Sequence, residues 1–394
     1  MYAKNSSHTP LKLIDADRLL DEHKLLIYFR KKEGWFKYAP FLYYGIFIAF
    51  QKIIKRINIL FLEVDLIMES YAILKEEQDE FQCTVSNILY FKGIGLHTGK
   101  ESQVVVKPAK ADSGITFVRK DLNPNVIIKA KADNVCSTLL RTSIGLKKEG
   151  NAKDALGCIS TVEHLMSALW GAGIDNALIE VYGCEIPAMD GSARVFYESF
   201  YESGIKELNA KRKYIEVLKP ISVESENESS SIAVYPSEDF EISYDMDFNH
   251  PLVQSGSFDM KIDGFNFHNE ISKARTFGFL KDVEYLKKSG LALGGSLDNA
   301  LVLDETSVLN KEGLRYKDEF IRHKVLDLIG DLYLSGYRIK GRVLAKKTGH
   351  DMNSKLVKKI GEYLSNAPLA VEKTEKREEN GFVSVGKTAA TLFA

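Results

Sequence analysis

Three histidines stand where their neighbours could support chemistry. His164 follows Glu163 in TVEHLMSAL, His323 precedes Asp327 by four residues in RHKVLDLIGD, and His350 lies in TGHDMN. On a helix, residues four apart share a face, with Cβ atoms about 5–6 Å apart. An imidazole at 323 and a carboxylate at 327 can therefore reach one metal ion. A third ligand would complete a three-ligand zinc site with an open position for water, and His164 is the natural third. Zinc would bring the pKa of that water down towards about 7. Adjacent helical residues diverge by about 100°, so Glu163 cannot share the metal with His164 and suits a general base beside it.

The same residues also fit blander roles. His-x-x-x-Asp at helical spacing is common in surface and capping pairs, which contribute little. His164 on an apolar helix can be a core histidine, with Glu163 facing solvent. His350, after Thr348-Gly349, can be a turn residue. No second histidine follows Glu163 at the HExxH spacing. Gly93, Gly95 and Gly99 in KGIGLHTGK match neither GxGxxG nor a P-loop.

The elements that must position these groups read as α+β from Cys83 onward. Gln103–Pro108 and Gly114–Lys120 alternate as strands. Ser160–Trp170 reads as a helix, with Thr161 as N-cap and Val162, Leu165, Met166 and Leu169 on one apolar face. A strand at Asn176–Gly183, a turn with Pro187, Asp190 and Gly191, and a helix at about Ala193–Ser203 follow. Polar Lys206–Lys213 reads as a linker. Strands are then expected around Tyr214–Val223, Ser231–Val234 and Phe240–Met246, with helices at Asp282–Ser289 and Phe320–Gly336, the last glycine as C-cap. ESENESSS (Glu224–Ser231) is a polar turn, and Glu372–Gly381 a solvated charged segment. The loose repetition predicts two similar α+β halves.

Composition narrows the function classes. With 394 residues, 45% of them hydrophobic, the chain can bury more than one core. Nine prolines and 28 glycines exclude collagen-like and low-complexity chains. The net charge of -1 gives no electrostatic reason to expect nucleic acid as a partner. Cys83, Cys136, Cys158 and Cys184 form no CxxC pair, and so few cysteines fit a reducing, cytoplasmic setting. Met1–Pro10 carries no secretory signal pattern.

The N-terminal stretch has a different texture. An uncharged aromatic run, YAPFLYYGIFIAFQ, is flanked by Arg30, Lys31, Lys32 and Lys37 and by Lys52, Lys55 and Arg56. It is shorter than the roughly 18–20 residues of a membrane-spanning helix. The membrane reading is peripheral contact through residues 30–56, a basic-aromatic helix lying on an anionic surface. The competing readings are an extra helix packed on the protein, or residues upstream of the true start, with Met68 an alternative start.

KGIGLHTGK, STVEHLMSALWGAGIDNALIEVYGCEIPAMDGSA, ARTFGF, LGGSLDNALVLDE, FIRHKVLDLIGDLYLSG and TGHDMNSKL occur in this order. Together they closely resemble the UDP-3-O-acyl-N-acetylglucosamine deacetylases, the zinc enzymes of the committed step of lipid A and lipopolysaccharide synthesis in Gram-negative bacteria. The resemblance covers about Cys83 to the C-terminus. It implies Zn2+ held by His164, His323 and Asp327, with Glu163 as the catalytic glutamate and His350 as the second catalytic group. It implies Thr276 near the reacting carbonyl, Asp331 orienting the catalytic histidine, and substrate contacts from Phe277 and Lys324, the lysine on the nucleotide side. His97 falls in a typical motif, its role open.

The fold so implied is two α+β halves packed together with the active site between them. The expected division is an unmatched extension at 1–82, a first half at 83–210 and a second half at 211–394. Residues Ser143–Ser160 form a longer, more polar first-half insert than is usual in the family. An acyl-chain channel is expected from the second-half insert, around Ser289–Leu301 or just before it. The implied reaction is hydrolysis of an acetamide on a UDP-linked, acylated glucosamine, giving acetate and a free amine. The leaving amine needs a proton, and Glu163 or His350 can deliver it. The alternatives are another zinc amidase or a membrane-attached lipid-binding protein.

Overall fold

The computed structural model describes residues 70–366 apart from 149–150, 249 and 254, together with Lys52 and Lys55. The elements of the fold lie within one compact unit, Asp65–Ala394. The basic-aromatic run expected to contact a membrane lies outside the described residues, Lys52 and Lys55 excepted, as does the charged segment at Glu372–Gly381.

The chain runs β1 (Ala72–Val85), β2 (Leu89–Ile94), β3 (Glu101–Pro108), β4 (Ile115–Arg119), β5 (Val126–Lys129), β6 (Val135–Ser137), β7 (Ser143–Lys148), β8 (Asn151–Ser160), α1 (Glu163–Gly171), β9 (Ala177–Tyr182) and α2 (Arg194–Ser203). It continues through β10 (Ile205–Val217), β11 (Ile221–Glu224), β12 (Ser231–Tyr235), β13 (Phe240–Met246), β14 (Gly256–Lys261), β15 (Phe277–Phe279), α3 (Leu280–Lys288), β16 (Leu301–Leu303), α4 (Glu319–Leu332), β17 (Arg338–Lys346) and α5 (His350–Asn366). This is an α+β fold. One sheet has the order β2-β3-β9-β4-β5. The larger one runs β1-β10-β17-β12-β11, with β13 pairing both β17 and β14.

Two smaller sheets interrupt these halves. β6-β7-β8 carries the polar insert, whose tip is the β7–β8 hairpin. β15 and β16 pair in parallel, and α3 follows β15.

Lys206–Lys213 is not a linker but the first part of β10, paired along β1 from Thr84↔Lys206 to Glu76↔Lys213. Three of its basic residues have partners. Arg212 donates to Asp175 at 3.1 Å and to Glu80 at 2.7 Å, Lys213 pairs with Asp112 at 2.9 Å, and Lys211 lies 3.8 Å over the Phe81 ring. The division expected at 82/83 thus falls inside β1 and that at 210/211 inside β10. The strand that opens the described chain belongs to the second half's sheet.

The helix expected at Ser160–Trp170 is present, but its surroundings differ from an amphipathic surface helix. Every residue from Glu163 to Gly171 is buried. A helix apolar on nearly all sides is covered on all sides, here with α4 packed along it. Thr161 is not its N-cap. Thr161 takes a left-handed φ of 60°, and its Oγ1 donates to Glu185 at 2.8 Å. Val162 stands at the N-cap with no side-chain cap. The bond to the buried Glu185 carboxylate and the left-handed backbone hold the Thr161 side chain where its oxygen accepts from no first-turn N–H.

α4 ends at Leu332, and after a single tight turn Gly336 closes the segment at φ 86°, the left-handed conformation expected of it.

Candidate metal and catalytic centre

The two central helices supply the metal-ligand types. His164 sits in the first turn of α1, and His323 and Asp327 lie one turn apart on α4. One ligand atom from each comes within 4.8 Å of the others, and all three residues are buried. The Asp327 Oδ1 lies 3.5 Å from His164 Nε2 and 3.3 Å from His323 Nε2.

The donors fit a divalent metal. Asp327 Oδ1 is buried and has no hydrogen-bond partner, although Oδ2 is held by Lys324 Nζ at 3.1 Å. His323 Nδ1 lies 3.0 Å from the Ala274 carbonyl. A carbonyl only accepts, so Nδ1 carries the hydrogen and the Nε2 lone pair faces the Asp327 Oδ1, two acceptors that a cation held between them would satisfy. Burial holds the His323 imidazole neutral, its pKa lowered to about 3. Burial also works against charge on His164, but the Asp327 carboxylate outweighs it and raises that group. Burial opposes the charge of Asp327 too, yet His323 and Lys324 beside it hold the carboxyl well below its usual range. Two imidazoles and a carboxylate form one of the three-residue donor sets that leave a fourth position open.

Two titratable groups flank this set. Glu163 is 3% exposed, and its Oε2 accepts from the Thr142 backbone N–H at 3.0 Å. Burial lifts its pKa to about 7, against the opposing pull of His350 and His164. His350 opens α5, where the helix dipole disfavours a cation. Burial disfavours it as well, yet Asp331, whose Oδ2 lies 2.9 Å from His350 Nδ1, raises the imidazole to about 9. The site therefore stores a carboxyl poised near neutrality beside a persistent cation. Such opposed environments are how one pocket holds a base and an acid together.

The β15 segment closes one side. Thr276 is half-buried, its backbone N–H donates to Gly191 at 2.8 Å and its carbonyl accepts from Leu301 at 2.8 Å. Phe277 packs edge-on against Phe320 at 5.0 Å and against the His323 ring at 6.4 Å, and Lys324 Nζ lies 5.8 Å from the Phe277 ring. His97 is also near. Its backbone N–H donates to Glu185 at 2.9 Å, and burial with Arg141 beside it lowers its imidazole to about 4.

All nine residues singled out from the sequence thus sit on α1, α4, the β15 segment and the start of α5. Sequence reasoning missed Thr142 and Asn353. Asn353 Nδ2 donates to Asp331 Oδ2 at 2.9 Å. It lies three residues after His350 on one helix face, a spacing that could have marked it. Thr142 carried no such signal.

A family model for UDP-3-O-acyl N-acetylglycosamine deacetylase matches residues 82–362. The UDP-3-O-acyl-N-acetylglucosamine deacetylase of Geobacter sp. (strain M21) is 48% identical over 280 residues, 71% of this chain and 88% of that protein. The protein of the same name from Shewanella pealeana is 46% identical over 316 residues, 80% of this chain and 99% of that protein. That of Pseudomonas entomophila is 43% identical over 281 residues, covering 71% and 89%.

Proposed function

The chain belongs to the UDP-3-O-acyl N-acetylglycosamine deacetylase family, and from that premise we propose that it hydrolyses the acetamide of UDP-3-O-acyl-N-acetylglucosamine to acetate and the free amine, in lipid A biosynthesis. The observation that carries the chemistry is the convergence of His164, His323 and Asp327 on one point, with the orphaned Asp327 Oδ1 among them. We assign Zn2+ to that point. When bound there, zinc supplies a Lewis acid that polarises the acetyl carbonyl and acidifies water.

The protein's own groups do the rest. Glu163 takes the proton of the attacking water as its oxygen adds to the acetyl carbon. The Thr276 hydroxyl donates to the carbonyl oxygen as it gains charge. His350, kept cationic by Asp331, stabilises that charge and passes a proton to the nitrogen as the C–N bond breaks. Asp331 fixes the ring by accepting from Nδ1. Phe277 and Lys324 contact substrate, the lysine on the nucleotide side, where its cation suits the diphosphate. The acyl chain is assigned to the exposed apolar side chains of the second insert, Leu280, Tyr285, Leu293 and Leu297.

We place the enzyme in the cytoplasm, with residues 30–56 touching an anionic membrane surface. No helix among the described residues is long and apolar enough to cross a membrane.

The test is acetate release from UDP-3-O-acyl-N-acetylglucosamine, measured on the purified chain, after chelation, and after zinc is restored. Activity lost with the metal and regained with zinc is expected. Turnover indifferent to chelation overturns the metal assignment, and no acetate release at all overturns the substrate.

A further inference from the structure

Thr142 lies in the loop between β6 and β7 and is 1% exposed. Each of its polar groups is committed to the catalytic elements. Its backbone N–H donates to Glu163 Oε2 at 3.0 Å. Its carbonyl accepts from the Val162 N–H at 3.2 Å, at the start of α1. Its Oγ1 donates to Asp331 Oδ1 at 2.5 Å. A carboxylate only accepts, so the direction of that last bond is fixed.

Asp331 is itself 2% exposed, and Oδ2 is shared by His350 Nδ1 and Asn353 Nδ2, both at 2.9 Å. Thr142 is the donor to its other oxygen. The hydroxyl thereby fixes the rotation of the Asp331 carboxylate and, through it, the His350 ring. The backbone of the same residue fixes the Glu163 carboxyl. One small residue ties the two proton-carrying arms to each other across separate elements.

We propose that Thr142 is a positioning residue for the deacetylation, acting through the Asp331–His350 pair by its hydroxyl and holding Glu163 by its backbone. This rests on the reading of Glu163 and His350 as the groups that move protons. Removing the hydroxyl leaves Asp331 Oδ1 buried and unpaired, and a hydrogen bond to a charged group is among the stronger ones. The carboxylate would then turn towards another donor and carry the imidazole with it. Substrate binding by Phe277 and Lys324 is untouched, so the loss falls on turnover.

The side-chain arm is tested with Thr142→Val, which keeps the shape and the backbone N–H and deletes only the hydroxyl. The expected result is a fall of about tenfold or more in kcat with KM within about twofold and metal content unchanged. Thr142→Ser restores the hydroxyl and is expected to recover most of kcat. In a His350→Ala background the valine substitution is expected to change kcat by less than about twofold, because two residues acting through one group are not additive. Should the valine variant fail to fold, Thr142→Ala against Thr142→Ser carries the same comparison. A hydroxyl-free variant within about threefold of the parent, a serine variant as slow as the valine one, or an undiminished effect without His350 overturns the proposal. Failure of the underlying reading shows separately, as a His350→Ala enzyme that keeps its full rate.

Discussion

Gly330 of α4 packs directly on the backbone of Glu163, so closely that a Cβ at position 330 would overlap the Glu163 carbonyl oxygen. The glycine sits between Asp327 and Asp331 on the helix that carries both. Its missing side chain sets how near α4 comes to α1, and so how near His323 and Asp327 come to His164. Gly330→Ala is expected to force the two helices apart. Overpacking of this kind typically costs about 1–3 kcal/mol. The measurements are thermal unfolding and metal content of the purified variant. A variant with unchanged stability, metal and rate would show that the contact does not set the ligand spacing.

The three proposed ligands are tested one at a time. His164→Ala, His323→Ala or Asp327→Ala leaves two donors where three were, and two bind far more weakly. Elemental analysis should find each variant largely depleted. Full zinc occupancy in any of them removes that residue from the ligand set.

Glu163→Gln keeps size and hydrogen bonding but removes the basic carboxylate, and His350→Ala removes the cation. Neither is an assigned ligand, so metal content should hold while kcat falls by about 10²–10⁴-fold. Loss of metal together with activity would instead mark the affected residue as part of the metal site.

The pH profile follows from the two raised groups. Glu163 must be ionised, so activity rises as pH passes through about 7. His350 must be protonated, so activity falls as pH passes through about 9. The expected profile of kcat/KM, which reports the groups of the free enzyme, is a bell with its plateau between them. His350→Ala should flatten the high-pH limb and leave the low-pH limb in place. A descending limb that survives unchanged belongs to another group, and His350 is then not the acid.

Truncation separates the extension from the fold. A chain starting at Met68 keeps all of β1 and is expected to retain its rate within about tenfold, roughly 1.4 kcal/mol in the barrier. A chain starting at Cys83 loses most of β1, including buried Ala72 and Ile73 and the pairing with β10 from Ala72↔Val217 onward. It should fail to give a cooperative thermal transition, since each buried aliphatic side chain contributes about 1.5–3 kcal/mol. Equal stability of the two chains would make β1 dispensable.

The sequence alone determined what is local. The four-residue spacing of His323 and Asp327 already put two candidate ligands on one helix face, because helical period is a property of neighbouring residues. Alternation located β3, β4, β9 and β13 for the same reason. Family motifs, rather than spacing, implied Thr276 and His350 at the same site and added weight to Glu163 and His164. Tertiary structure decided the rest. Whether Lys206–Lys213 is a linker or a strand depends on β1 lying beside it, and the polar composition of the segment reads the same either way. Thr161 reads as a cap by type and place, but its backbone and its contact with Glu185, 24 residues on, orient the side chain otherwise. Thr142 meets Asp331 from 189 residues away, and no pattern within a window can report that contact. Long-range packing brings such groups together, and only the folded chain fixes which donor faces which carboxylate.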